Sequence, residues 1–238
     1  MRGWILALIV GCLAFSFQEV NLPSEEGEEQ VIDHRPLKLG EFLRYNIHYG
    51  LIDAGEATFS IDDSFRTIQH KNHYGVRVTG RTYKTWDLFY KVRDYYRSYI
   101  DSATMMPTIY SRNISEGDFR DKESFLFDRK KGEAKGKKQG RDTTIKISEN
   151  LQDLASMLYY ARSFDFSGKK VGSKIDLDVF FDAQWFNCGV EFIGFETIRT
   201  SMGKFRCMKI VPKLVTGRIF KGQNDMVVYI SADKNQIP

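Results

Sequence analysis

The chain has 238 residues, with 35 Lys and Arg against 31 Asp and Glu, and 14% of its side chains are aromatic. A net charge of +4 is too small an excess to drive binding to nucleic acid, which takes a concentrated basic surface. The length suits one ordinary domain able to bury its own core once the N-terminal leader is set aside.

Met1-Arg2-Gly3 opens the chain with a positive charge, and the apolar run Trp4 to Phe15 (WILALIVGCLAF) follows. This is the layout of an export signal. The run stops well short of the ~20 residues that a spanning helix needs. Ala14 and Ser16 suit the −3 and −1 positions of a cleavage site, which assigns residues 1–16 to a signal peptide and makes Phe17 the mature N-terminus. The alternative is the lipobox-like Ile9-Val10-Gly11-Cys12, in which Cys12 becomes a lipidated first residue. Residues 17–36 are acidic and poor in hydrophobics, which predicts a disordered lead, with a single β-rich domain over 37–238. From Phe17 onwards 34 basic residues face 31 acidic ones, a net of +3. No later segment is apolar enough to span a bilayer, so the expected location is exported, periplasmic or associated with the outer membrane.

From Glu41 the dominant signal is period-two alternation punctuated by turn residues. Leu43, Tyr45, Ile47 and Tyr49 share one face of a first strand, and Arg44, Asn46 and His48 share the other. Asp53-Ala54-Gly55 is read as the turn, after which Ala57, Phe59 and Ile61 point inward again. Tyr74, Val76 and Val78 mark another inward face, and Tyr90 to Asp101 continues as a long strand rich in Tyr. Residues 108–114, 122–128 and 142–147 predict three more. The run 129–141 (RKKGEAKGKKQGR) carries seven Lys or Arg and reads as a solvated hairpin tip turned by Gly132, Gly136 and Gly140; the sharper reading is a contact with anionic lipid. Asn150-Leu-Gln-Asp153 resembles a capping box, and Leu151, Leu154, Leu158 and Ala161 follow at helical spacing, which predicts one amphipathic helix over 151–163. Strands resume at Ile175, Leu177, Val179 and Phe181, then in a hairpin over 189–211, then at 225–231. About ten strands and one helix imply a mainly β fold, an antiparallel sheet rolled into a barrel or half-barrel around that helix.

Cys188 and Cys207 are the cysteines left beyond the leader. A turn centred on Met202 sets Cys207 opposite Thr197, nine residues along the strand from Cys188. That is ~30 Å at the strand rise, against the ~7 Å limit for bridged Cα atoms. Two free, buried thiols are expected.

A search for chemistry finds no G-x-S-x-G, H-E-x-x-H, C-x-x-C, Walker or Rossmann pattern, and so names no catalytic residue, cofactor or metal ligand. His70 and His73 fall where a polar hairpin turn is expected, His34 in the lead, and His48 on an outward face. Asp176, Asp178 and Asp182 alternate with Ile175, Leu177 and Val179 as the solvated side of an amphipathic strand; a calcium-binding edge is the sharper reading. Aromatic residues are the remaining lead. Trp86, Phe89, Tyr90, Tyr159 and Trp185 are candidates to line a pocket for an amphipathic ligand, although such residues also fill rolled sheets.

Several segments taken together resemble the domain of unknown function 3108 family of exported bacterial proteins. They are GEFLRYNIHYGLIDAGEATFSI (40–61), DLFYKVRDYYRSYID (87–101), MMPTIYSRNISEGDF (105–119), QDLASMLYYAR (152–162), GFETIRTSMGKFRCMKIVP (194–212) and YISADKNQIP (229–238). The resemblance implies a secreted, mainly β protein without assigned chemistry, and it carries over no catalytic residue. Similar proteins continue past the segment matching Asn235 to Pro238 into closing strands, which implies either a truncated chain or an open last sheet edge. The functional expectation is a non-enzymatic envelope protein that binds a lipid-like small molecule or an envelope protein on the concave side of its sheet. The alternatives are a carboxylate-dependent hydrolase of an envelope polymer and a purely structural module.

Overall fold

The computed structural model describes residues 37–49, 52–164, 166, 168–200, 202–213 and 227–238. The expected signal peptide, Cys12, the acidic lead and His34 lie outside them. Among the described residues the chain forms two compact units, one from 37–160 and 178–186 and one from 161–177 and 187–238.

The first unit is built on a sheet of β1 (Phe42–Tyr49), β2 (Ile52–Ile61), β3 (Arg66–Ile68), β4 (Lys71–Thr82), β5 (Arg93–Asp101), β6 (Pro107–Glu116), β7 (Phe119–Asp128), β8 (Glu133–Lys138) and β9 (Arg141–Lys146). Its order is β1-β2-β4-β5-β6-β7-β8-β9, with β3 paired on β4, and every pairing is antiparallel. β1 and β9 are its two ends, so the sheet is an open half-barrel and not a closed barrel. The alternation behaves as its sequence implies: Ile61, Val76, Tyr96, Ile100, Tyr110, Ile114, Phe125, Phe127 and Ala134 are buried in one apolar cluster, joined by Leu37, and Ala57 is buried as well. Phe180 lies at its centre, edge-on to Tyr110, Phe125 and Phe127 at ring-centroid distances of 5.9, 5.0 and 5.2 Å. Offset, T-shaped contacts of this kind are the favourable ones for aromatic rings. The inner face of the sheet is therefore filled by the chain's own side chains.

Three sequence expectations change here. The segment read as one helix over 151–163 is a short strand β10 (Leu151–Asp153), paired in parallel with β11 (Lys174–Phe181), followed by a helix confined to Ser156–Ala161. The cap is Asp153 and not Asn150: its Oδ1 accepts the Ala155 and Ser156 amides at 2.8 Å, and Ser156 Oγ accepts the Asp153 amide at 2.8 Å. That reciprocal pair is a capping box three residues later than read. Ser156 and Tyr159 are the fully buried side chains of this helix, whereas Leu158 is only partly covered. The basic run is not a tip, because residues 133–138 form β8 between two turns. Gly55 and Gly136 are strand glycines and not turn residues: a Cβ at Gly55 would stand 2.3 Å from the Arg81 carbonyl oxygen, and one at Gly136 1.9 Å from that of Ser124. Another short helix, α1 (Lys84–Asp87), precedes β5, so the helix at 156–161 is α2.

In the second unit β12 (Gln184–Thr200) pairs with β13 (Gly203–Lys213), and β13 with β14 (Val228–Ser231), all antiparallel. Phe164, Phe166, Phe192 and Phe195 form a run of ring contacts 5.3 to 6.5 Å apart. Thr200 pairs with Gly203, so the turn is one residue tighter than read and Cys207 sits opposite Glu196. Both cysteines are free as expected; Cys207 is buried, and Cys188 is only partly so. Among the described residues no helix is long and apolar enough to cross a membrane, which says nothing of strands.

Candidate functional site

The hairpins β6–β7 and β8–β9 and the α1 connection between β4 and β5 all lie at one end of the first sheet. Inward-facing positions change character towards that end. Asp94 continues the face of Tyr96 and Ile100, Arg112 and Glu116 continue that of Tyr110 and Ile114, and Asp121 and Glu123 continue that of Phe125 and Phe127; all five charged residues are buried. Arg112 is the hub. Its Nη2 donates to Asp121 and, at 2.7 Å, to Asp182 Oδ1, its Nε lies 3.0 Å from Glu123 Oε1, and its guanidinium stacks 4.5 Å from the Phe181 ring centre. Lys138 of β8 also donates to Asp182 and stands 3.8 Å from Asp121 and 3.9 Å from Glu123.

Five carboxyl groups thus meet two cations, an imbalance that burial makes costly. Burial raises the pKa of Asp94 to about 7, with further help from the charge and hydrogen bond of Glu116 and despite the Ser115 amide that Asp94 Oδ1 accepts at 3.1 Å. Burial likewise pushes Glu123 above the usual carboxylate range, against the pull of Arg112 and Lys138. Asp121, Glu123 and Asp182 hold carboxylate oxygens within 4.8 Å of one another, a spacing that suits a cation. Arg112 and Lys138 already supply positive charge there, so the donor set is that of an ion-pair knot. Its most exposed member is Asp182, while Asp94 and Glu116 have almost no contact with solvent.

The five candidate aromatics divide three ways. Tyr159 belongs to the core, fully buried. Trp185 lies at the β9 side, where its Nε1 donates to the Lys146 carbonyl at 3.0 Å. Trp86, Phe89 and Tyr90 stay together in the α1 connection and are exposed or half-exposed, with Trp86 and Phe89 in edge contact at 6.0 Å. Leu88 and Phe89 there are 86% and 81% exposed, and Ile52, at the same end, is 61% exposed.

A hydrogen-bonded frame fixes this apolar tip. The Trp86 and Asp87 amides donate to the Tyr83 carbonyl, and the Phe89 and Tyr90 amides to that of Trp86, at 2.9 to 3.0 Å. Asp87 accepts from Thr82 Oγ1 at 2.6 Å and from both Arg93 terminal nitrogens at 2.6 and 3.0 Å, and the Arg93 bond foremost holds its carboxyl below the usual range. Tyr90 joins the tip to the charged row: its ring packs over Gly117, where a Cβ would come within 3.0 Å, and burial followed by the charges of Glu116 and Asp94 raises its hydroxyl's pKa.

Among the described residues the histidines do not form a site. His70 sits in the β3–β4 turn at φ +63°, as the turn reading requires. His73 is not in that turn but buried on β4, bonded to the Lys71 carbonyl at 3.0 Å and Thr108 Oγ1 at 2.8 Å. His48, on the outward face, pairs with Asp53 at 2.6 Å.

The family model described as "Protein of unknown function (DUF3108)" matches residues 44–238. No curated protein matches the chain. Among solved structures, the chain is similar to a beta-barrel-like protein of domain of unknown function DUF1849 from Brucella abortus, at 10% identity and a TM-score of 0.46, over 77% of this chain and 78% of that one.

Proposed function

We propose, from the premise that the chain belongs to the DUF3108 family of proteins of unknown function, that it is an exported envelope protein that takes an amphipathic, lipid-like partner. Its contact surface is the α1 connection. One observation carries this: Leu88 and Phe89 are held almost fully exposed by a hydrogen-bonded frame, beside Trp86 and Tyr90. A rigid turn that displays large apolar side chains to water gains nothing in the isolated fold, and such patches are characteristic of binding surfaces. The seat is accordingly the loop end and not the concave face, which the core cluster fills. The carboxyl groups of the inner row face Arg112 or one another instead of solvent, which favours binding over carboxylate-based hydrolysis.

The experiment is lipid mass spectrometry on the protein purified from its native envelope, alongside a Leu88→Ser/Phe89→Ser variant. Both side chains are exposed, so the variant folds. An amphiphile enriched on the unaltered protein and lost from the variant is the expected result. Equal recovery from both, or none from either, overturns the reading.

A further inference from the structure

We infer that the partner of the α1 connection is the headgroup zone of an anionic phospholipid bilayer, into which the loop dips; this rests on the amphipathic-partner reading above. Two observations narrow the partner. The apolar tip is bracketed by Lys84 and Lys91, both exposed, and neither side chain makes a hydrogen bond or ion pair among the described residues. The acid between them, Asp87, is already committed to Thr82 and Arg93. The loop therefore presents Leu88 and Phe89 as its most exposed side chains, Trp86 and Tyr90 as less exposed ones, and two flanking ammonium groups, of which that of Lys91 also acts on the Asp87 carboxylate; one exposed acid, Asp118, lies near Tyr90.

That gradation of exposure matches a membrane interface. Aliphatic and phenyl groups reach the acyl boundary, indole and phenol rings favour the headgroup level, and lysines extend their apolar stems to place charge among phosphates. A soluble single-chain amphiphile would instead call for a concavity, and the tip projects outward. The Trp86, Asp87, Phe89 and Tyr90 amides are bonded within the loop, so these four enter the apolar layer already paired.

The test uses the exported protein without residues 1–16 and carrying Trp185→Phe, so that Trp86 is the sole indole. It is mixed with phosphatidylglycerol–phosphatidylethanolamine vesicles and with neutral phosphatidylcholine vesicles. Expected are co-sedimentation with the anionic vesicles, weakened by salt, and quenching of Trp86 by brominated acyl chains. Lys84→Gln/Lys91→Gln should weaken anionic-vesicle binding about 30-fold, at ~1 kcal/mol for each lysine near a charged surface, and Leu88→Ser/Phe89→Ser should abolish it. Equal binding to both vesicle types, vesicle binding indifferent to Leu88 and Phe89, or an unquenched Trp86 overturns the inference. Binding of lysophospholipid through Leu88 and Phe89 without vesicle binding also overturns it, while leaving the broader reading standing; loss of both binding modes removes the two together.

Discussion

Asp94→Asn replaces a buried carboxyl group that resists ionisation with an amide of the same shape. In the folded chain Asp94 has its pKa raised from 3.8 to about 7, chiefly by burial. An acid whose folded pKa lies above its unfolded one contributes stability that is complete below the unfolded value and is lost as pH rises through the folded one. The loss runs from about pH 4 to about pH 7 and is flat above. At ~1.4 kcal/mol for each pH unit of displacement the upper bound is ~4 kcal/mol, and ~2 to 4 kcal/mol is expected for a carboxyl group held beside other buried acids. Asparagine keeps the acceptor for the Ser115 amide and gains a donor towards Glu116, so it mimics the protonated acid. Urea midpoints of the two proteins, measured from about pH 4 to about pH 8, should coincide at the acid end and diverge in favour of Asp94→Asn towards neutrality. Taking the difference removes the parallel contribution of Asp153, another buried acid raised to about 6. If both proteins show the same pH dependence, Asp94 is ionised without cost in the fold and the account of the inner row is wrong.

Phe180→Ala removes the ring at the centre of the first unit's core and should lower stability by ~3 to 5 kcal/mol, read as a urea midpoint with unchanged slope. Asp153→Ala should cost at least the ~1 kcal/mol of a lost cap, since it also strands the Ser98 hydroxyl that donates to Asp153 at 2.6 Å; Asp153→Asn should recover part of it, and equal stability of all three proteins would contradict the cap assignment. Peptide mapping without reductant should recover Cys188 and Cys207 in separate fragments, because Cys207 faces Glu196, eight residues along the strand from Cys188.

The faces of β1, β2 and β4 were legible because one side of each strand is apolar and the other polar, and period two then fixes the register. β8 was hidden by its composition: Ala134 is its one buried apolar side chain, Gly136 leaves room for the neighbouring backbone, and Lys138 turns inward to acids. Capping residues were ambiguous because Asn150 and Asp153 both precede apolar residues at helical spacing, and parallel pairing of Leu151 to Asp153 with β11 decides between them. The aromatics were grouped by nearness in sequence, whereas strand direction sends Tyr159 into the core and Trp185 to the β9 side. The charged row did carry a signal. Asp121 and Glu123 are in phase with Phe125 and Phe127, and Arg112 and Glu116 with Tyr110 and Ile114, so the alternation that finds the core also places these charges inside. A search for short catalytic motifs passes over such a row because its members come from four different strands and the turn after β11.

Side chains along the inner face of the first sheet grade from apolar to charged, and that gradient bears on how the loop end is held. Burying Ile100, Phe125 and Phe127 gains apolar free energy wherever they sit, but Arg112 gains only if its acids are placed to receive it, so the charged row is stabilising in one register and costly in any other. Slipping β7 by one residue would turn Asp121 and Glu123 outward and leave the buried Arg112 with Asp182 as its remaining acid, so the guanidinium would lose two of its three carboxylate partners. The row therefore disfavours misregistered pairings of β6 and β7 where the apolar pattern ends. The same strands set the Gly117 turn on which Tyr90 rests, and Tyr90 closes the loop that presents Leu88 and Phe89. A costly internal arrangement thus sits directly beneath the surface that needs a fixed shape, and the apolar tip is held by strands whose register is specified twice, once by hydrophobic alternation and once by charge.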